Sequence, residues 1–137
     1  MDEKQAFPTE NTIHESLGIR AVELTADKVV LEMDVGPPVY QPFGILHGGA
    51  SAVIAESAAS LGAFLNVDPT EHYVVGTDLN ISHMRARRDG TLTATATPIR
   101  RGRTMHVWDI RLDDEEGRAV AVARCTLVVR SLAELRG

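Results

Sequence analysis

Apolar and polar positions alternate differently along the chain, and the changes in rhythm mark its elements. Ile13 and Leu17 fall four apart, so a short helix is expected over Thr9–Leu17 with Thr9 as its cap. From Arg20 to Val35 the rhythm is strand-like, with Val22, Leu24, Val29, Leu31 and Met33 interrupted by a turn near Thr25-Ala26-Asp27. Gly36-Pro37-Pro38 ends that hairpin, and Tyr40 to Leu46 reads as a loop. Gly48 to Leu65 is the strongest helical stretch: rich in alanine, free of proline and apolar on nearly every face. A helix of that kind belongs in a core, and its small side chains require close neighbours.

After Asp68-Pro69 the texture turns to strand. Thr91 to Thr97 alternates threonine with Leu92, Ala94 and Ala96, a period of two with one buried face. Asp89-Gly90, Arg101-Gly102-Arg103 and Asp113 to Gly117 supply turns. The strands between them are expected at about 74–87, 91–100, 104–112 and 118–130, in hairpin order, as an antiparallel meander. One buried helix with a large antiparallel sheet implies a sheet wrapped around the helix, an α+β arrangement. No linker or repeat divides residues 1–137, which read as a single domain.

Composition narrows the classes. Hydrophobic residues make up 44% and charged residues 24%, so a folded core is expected. A formal net charge of −5 disfavours broad binding to nucleic acid or an anionic membrane. Cys125 is the single cysteine and cannot form an internal disulfide. The N-terminus lacks a signal-peptide pattern, and no apolar run reaches the roughly 20 residues of a membrane helix. A cytoplasmic enzyme or binding protein is the expectation. His14, His47, His72, His83 and His106 show no metal-ligand spacing, so no metal is expected.

The chemistry concentrates around the Gly48–Leu65 helix. Gly48 and Gly49 leave backbone N–H groups open at a helix start, where the helix dipole adds partial positive charge. Such an end can hold an oxyanion; the same glycines also suit a plain tight turn. Glu56 lies in the middle of the apolar helix, where an ionised carboxylate needs a partner or a task. Burial would raise its pKa towards that of a general base, whereas an arginine partner would make it structural. Ser60, four residues on, shares its face and serves either to position a water or to pack. Gly48 and Glu56 are eight residues apart, about 12 Å along a helix, too far to serve one carbonyl together. If both act, they come from different subunits, and the protein is a dimer at minimum. Arg85, Arg87, Arg88, Arg100, Arg101 and Arg103 gather at turns, where they either grip phosphates or stand exposed at strand ends.

His47-Gly48-Gly49-Ala50 resembles the oxyanion loop of α/β-hydrolases, but Val53 stands where G-x-S-x-G requires its last glycine, and the chain is short for that fold. A fuller resemblance runs from about Thr9 to Arg130. Gln41, His47-Gly48-Gly49, Glu56 and Ser60 keep the spacing of the hotdog-fold acyl-CoA thioesterases. The branch is that of the phenylacetate-pathway and Arthrobacter-type 4-hydroxybenzoyl-CoA thioesterases, with 1,4-dihydroxy-2-naphthoyl-CoA hydrolase and the enterobactin proofreading thioesterase. Val75 to Arg85 and Gly102 to Trp108 are similar to that family's later strands. The resemblance implies a long helix wrapped by an antiparallel sheet, and hydrolysis of an aryl- or medium-chain acyl-CoA to free acid and coenzyme A. Coenzyme A is then part of the substrate, and no cofactor is implied. It makes Glu56 the nucleophile or general base and Gly48 N–H the oxyanion donor across a dimer interface. Gln41 and His47 would orient the carbonyl, Ser60 the water, and Phe43 would border the acyl pocket. His83, Arg85, Arg101 and Arg103 would lie near the nucleotide, in a homodimer or homotetramer. A non-hydrolytic acyl-CoA-binding protein on the same fold is the alternative class.

Overall fold

The computed structural model of the protein describes residues 7–135. Thr25 and Lys28 exchange backbone hydrogen bonds of 3.0 and 3.4 Å and close a hairpin between β1 (Arg20–Leu24) and β2 (Val29–Asp34), at the expected turn. The first helix, α1 (Ile13–Leu17), is shorter than Thr9–Leu17. Thr12, not Thr9, caps it, accepting a hydrogen bond from His14 N–H, because Thr9 to Thr12 is spent on a turn with Asn11 at φ 60°. The long helix α2 spans Gly48–Phe64, as expected within one residue.

Four long strands follow: β3 (His72–His83), β4 (Thr91–Arg101), β5 (Met105–Asp113) and β6 (Ala119–Ser131), before a last turn of helix, α3 (Leu132–Leu135). All pairings are antiparallel, but the order is β1-β2-β4-β5-β6-β3. Only β4-β5-β6 is the meander read from the turns. β3 pairs with β6 at the far edge, so Asp89-Gly90 does not close a hairpin. The segment from Met84 to Gly90 instead crosses the end of the β5–β6 hairpin, and this is why β3 stops at His83 rather than at 87. Met84 and Arg85 N–H donate to Val120 O, and Arg87 reaches Asp114 (3.6 Å) and Glu115 (2.5 Å) in the β5–β6 turn.

One face of the sheet and one face of α2 form the core. Val29, Leu31 and Met33 of β2, Leu92, Ala94 and Ala96 of β4, and Trp108, Ile110 and Leu112 of β5 are buried against Ile54, Ala55, Ala58 and Ala59. The alanines set how near the sheet can come. At Gly62 the need is strictest, since a Cβ there would lie 2.5 Å from Trp108 Cη2. The sheet covers only one side of α2, however. The expectation of a helix buried on every face is not met within one chain: Ala52, Val53, Leu61 and Phe64 are half-buried, and Glu56 is exposed.

Candidate active site

The start of α2 is prepared as a donor site. His47 is its N-cap, and its Nδ1 accepts the Gly49 N–H at 2.7 Å. In the neutral ring this bond places the proton on Nε2, which the exposed side chain can offer outward. A Cβ at Gly49 would fall 2.8 Å from that Nδ1, so the cap itself requires glycine. Gly48 N–H has no acceptor among the described residues. A Cβ at Gly48 would lie 2.9 Å from His83 Nε2, so glycine there brings the end of β3 against the helix start. The preceding loop folds on itself, with Gln41 N–H donating to Ile45 O (2.8 Å) and the Gln41 side-chain oxygen accepting from Phe43 N–H. That leaves the Gln41 amide NH2 to donate. Gln41, Gly48, His83 and Arg85 line one cleft of about 390 Å³.

Glu56 projects two turns further along α2, beside the middle of β3. A Cβ at Gly76 would approach its Cδ and Oε1 to 3.0 Å, and a bulge at Gly76–Asp78 locally breaks the β3–β6 register. The carboxylate opens into a second cleft of about 270 Å³ with Ser57, Ser60, Leu61, Phe64, Tyr73, Val74 and His14. The walls are mostly apolar and the carboxylate is its single acidic group, an arrangement suited to an acyl chain meeting a base. Glu56 has no salt-bridge partner among the described residues, so the reading of it as a structural acid tied to an arginine finds no partner in the chain. The Cys125 thiol nearby is pushed up to about 12, by burial first and then by the charges of Glu56 and Asp78. It is no thiolate near neutral pH.

The expected site residues therefore fall into separate groups. Gln41, His47, Gly48, His83 and Arg85 gather at the start of α2, and Glu56 with Ser60 at its middle. Arg101 and Arg103 line a third cleft of about 740 Å³ with His72. His72 and His83 are the two ends of β3, about 36 Å apart at roughly 3.3 Å per residue, so the four nucleotide-site candidates do not converge in one chain. Arg101 pairs with Asp27 at 2.6 Å, whereas Arg103 has no ion pair among the described residues. Phe43 stands 83% exposed and lines none of these three clefts. Among the described residues, no three or more His, Cys, Asp and Glu are grouped to hold a metal ion, and no helix is long and apolar enough to cross a membrane.

Some lining residues escaped the sequence reading. Ser57 and Phe64 line the Glu56 cleft from α2 itself, and His14 of α1 and Tyr73 of β3 reach it from other elements. His14 Nε2 lies 2.8 Å from Ser57 Oγ, and its ring stacks on Phe7 with centroids 4.5 Å apart. Burial pushes the His14 imidazole below its ordinary value, opposed by the Pro8 carbonyl. No local signal marks this histidine, because only the fold brings α1 over α2.

The chain is similar throughout to known proteins. A profile described as the thioesterase superfamily matches residues 43–121. A 1,4-dihydroxy-2-naphthoyl-CoA hydrolase from Listeria monocytogenes is 40% identical over 86% of this chain and 95% of its own length. A proofreading thioesterase from Cronobacter turicensis is 37% identical over 86% of this chain and 85% of its own. The crystal structure of a mutant thioesterase from Pseudomonas aeruginosa superposes with a TM-score of 0.92 at 41% identity, covering 96% of each chain.

Proposed function

The chain belongs to the thioesterase superfamily and is a thioester hydrolase of the hotdog fold; from that premise we propose that it hydrolyses an aryl- or medium-chain acyl-CoA in the cytoplasm, at a site shared between two subunits. The observation that carries this reading is the pairing of an unclaimed Gly48 N–H with an unpaired Glu56 on the same helix, about 12 Å apart. Neither finds its complement among the described residues.

β3 is an edge strand, and an edge invites a second strand. Two copies joined antiparallel along β3 set their α2 helices side by side in opposite directions, each Gly48 facing the other Glu56. The same pairing sets the His72 end of one β3 against the His83 end of the other. It thus gathers Arg101 and Arg103 with the partner copy's His83 and Arg85, and gives exposed Phe43 and half-exposed Val75 something to cover. Closure removes water from around Glu56. The acyl carbonyl then receives Gly48 N–H, with Gln41 and His47 beside it. Glu56 either activates a water placed by Ser60, or attacks the carbonyl itself to form an anhydride that a water placed by Ser60 then opens; in both cases the coenzyme A thiolate leaves and free acid forms.

The test is hydrolysis of an acyl-CoA panel followed by free-thiol detection. Glu56→Gln should lose at least about a hundredfold in kcat while remaining folded. Co-expressing Glu56→Gln with Gly48→Pro, which removes the N–H, should rebuild one intact site per mixed dimer. Folded mixed dimers without activity, or an active monomer, would rule out the shared site.

A further inference from the structure

Two hollows of the surface meet at one side chain. The Glu56 cleft, about 270 Å³, runs between α2 and β3. A groove of about 460 Å³ lies beyond it, lined by Phe7, Thr9, Glu15 and Ile19 among others. Among the described residues His14 alone lines both. The imidazole is held edge and face: its Nε2 is 2.8 Å from Ser57 Oγ, and its ring lies on Phe7 at an interplanar angle of 28°. Ser57 is the residue next to Glu56 on α2, so the partition is tied to the catalytic helix itself.

Stability does not account for this placement. Among the described residues His14 Nδ1 is buried without a well-aligned hydrogen bond, although the Pro8 carbonyl acts on the ring, and a buried polar atom so poorly satisfied costs a fold free energy. An apolar side chain would fill the position without that cost.

We infer that His14 is a specificity-determining residue: its imidazole closes the far end of the Glu56 cleft and limits the length of the acyl group the enzyme accepts. The inference rests on the Glu56 cleft being the acyl site. A compact acyl group, benzoyl or hexanoyl, ends against the imidazole. A longer chain must displace it, breaking the contact with Ser57 and the stack on Phe7. With the imidazole gone, the cleft runs on into the groove beside Phe7 and Ile19.

The experiment compares hexanoyl- and decanoyl-CoA with wild-type enzyme, His14→Ala and His14→Phe, measuring kcat/KM and also the affinity of non-hydrolysable ketone analogues of both thioesters by calorimetry. The ratio of decanoyl to hexanoyl should rise at least about tenfold in His14→Ala, in both measurements. His14→Phe, which restores bulk and the stack without the hydrogen bond, should return the ratio to the wild-type value. A purely structural role would lower both substrates together and leave the ratio unmoved, which overturns the inference. So does a shift in His14→Phe equal to that in His14→Ala. Length-dependent binding that follows His14 without any hydrolysis would sustain the partition and sink the role of Glu56. Hydrolysis with an unchanged length profile would do the reverse.

Discussion

Gly62→Ala tests how closely the sheet must approach the helix that carries Glu56. The added Cβ would stand 2.5 Å from Trp108 Cη2, 2.6 Å from Cζ3 and 3.0 Å from Cζ2. The ring must retreat by about 1 Å to reach ordinary contact distance. It has nowhere to go: Trp108 is fully buried, and its Nε1–H donates to His106 Nδ1 at 3.2 Å. Overpacking of this kind costs about 1–3 kcal/mol, and a stretched or lost buried hydrogen bond adds about 1 kcal/mol. Alanine returns about 1 kcal/mol in helix propensity. The net expectation is a loss of about 2 kcal/mol, or about 6–8 °C in Tm for a domain of this size. Trp108 is the single tryptophan, so urea unfolding followed by its fluorescence reports the affected site directly. Circular dichroism at the same protein concentration serves the second background, Trp108→Phe, where the ring no longer reaches the new methyl. There Gly62→Ala should be neutral or stabilising, giving a coupling energy of about 2 kcal/mol across the cycle. Equal effects in both backgrounds, or stabilisation in the wild-type background, would refute the close-approach argument.

Gly76→Ala brings a Cβ to within 3.0 Å of the Glu56 carboxylate, which can yield by a few tenths of an ångström; kcat should fall about tenfold with Tm nearly unchanged, as steady-state kinetics beside thermal melts will check. Burial pushes the His14 and His106 imidazoles below 6.5, at His106 with help from the charge of Arg101. The unfolded chain therefore takes up protons that the folded chain refuses, so stability should fall as pH drops below about 6.5 and level off once the folded-state values are passed. Urea midpoints across that range should flatten in a His14→Gln/His106→Gln double variant. At Asp114 burial alone would raise the carboxyl, but N–H donors of Arg118 and Glu116 and the Arg118 guanidinium outweigh it and hold the group below 3.8. A second loss of stability, shared with Asp34, Asp68 and Glu115, should follow as pH falls below that value, and Asp114→Asn should reduce but not abolish it in acid-unfolding curves.

Much of the molecule is written locally. The Gly48–Phe64 helix follows from its alanines and the absence of proline, and the β1–β2 hairpin and the β4-β5-β6 meander follow from alternation and turn residues. The expected catalytic set was likewise visible as types at fixed spacing, because Gln41, His47, Gly48, Glu56 and Ser60 lie within one loop and one helix. Short-range patterns cannot say which distant strand a strand will choose. A hairpin with the next strand would have given β3 an antiparallel partner, but β4 is paired on both sides by β2 and β5, and β3 joins β6, with Met84 to Gly90 crossing the β5–β6 turn and anchored there by Arg87. That choice leaves β3 at an edge, exposes Glu56 and separates Arg101 and Arg103 from His83 by the length of the strand. The tertiary fold also brings His14 of α1 to Ser57 of α2, which no spacing between these residues, 43 apart, foretells. Residue types and periodicity determine which groups are available and which local elements hold them. Their relative positions follow from long-range pairing and packing, whose free energy is spread over contacts that no single window of sequence contains.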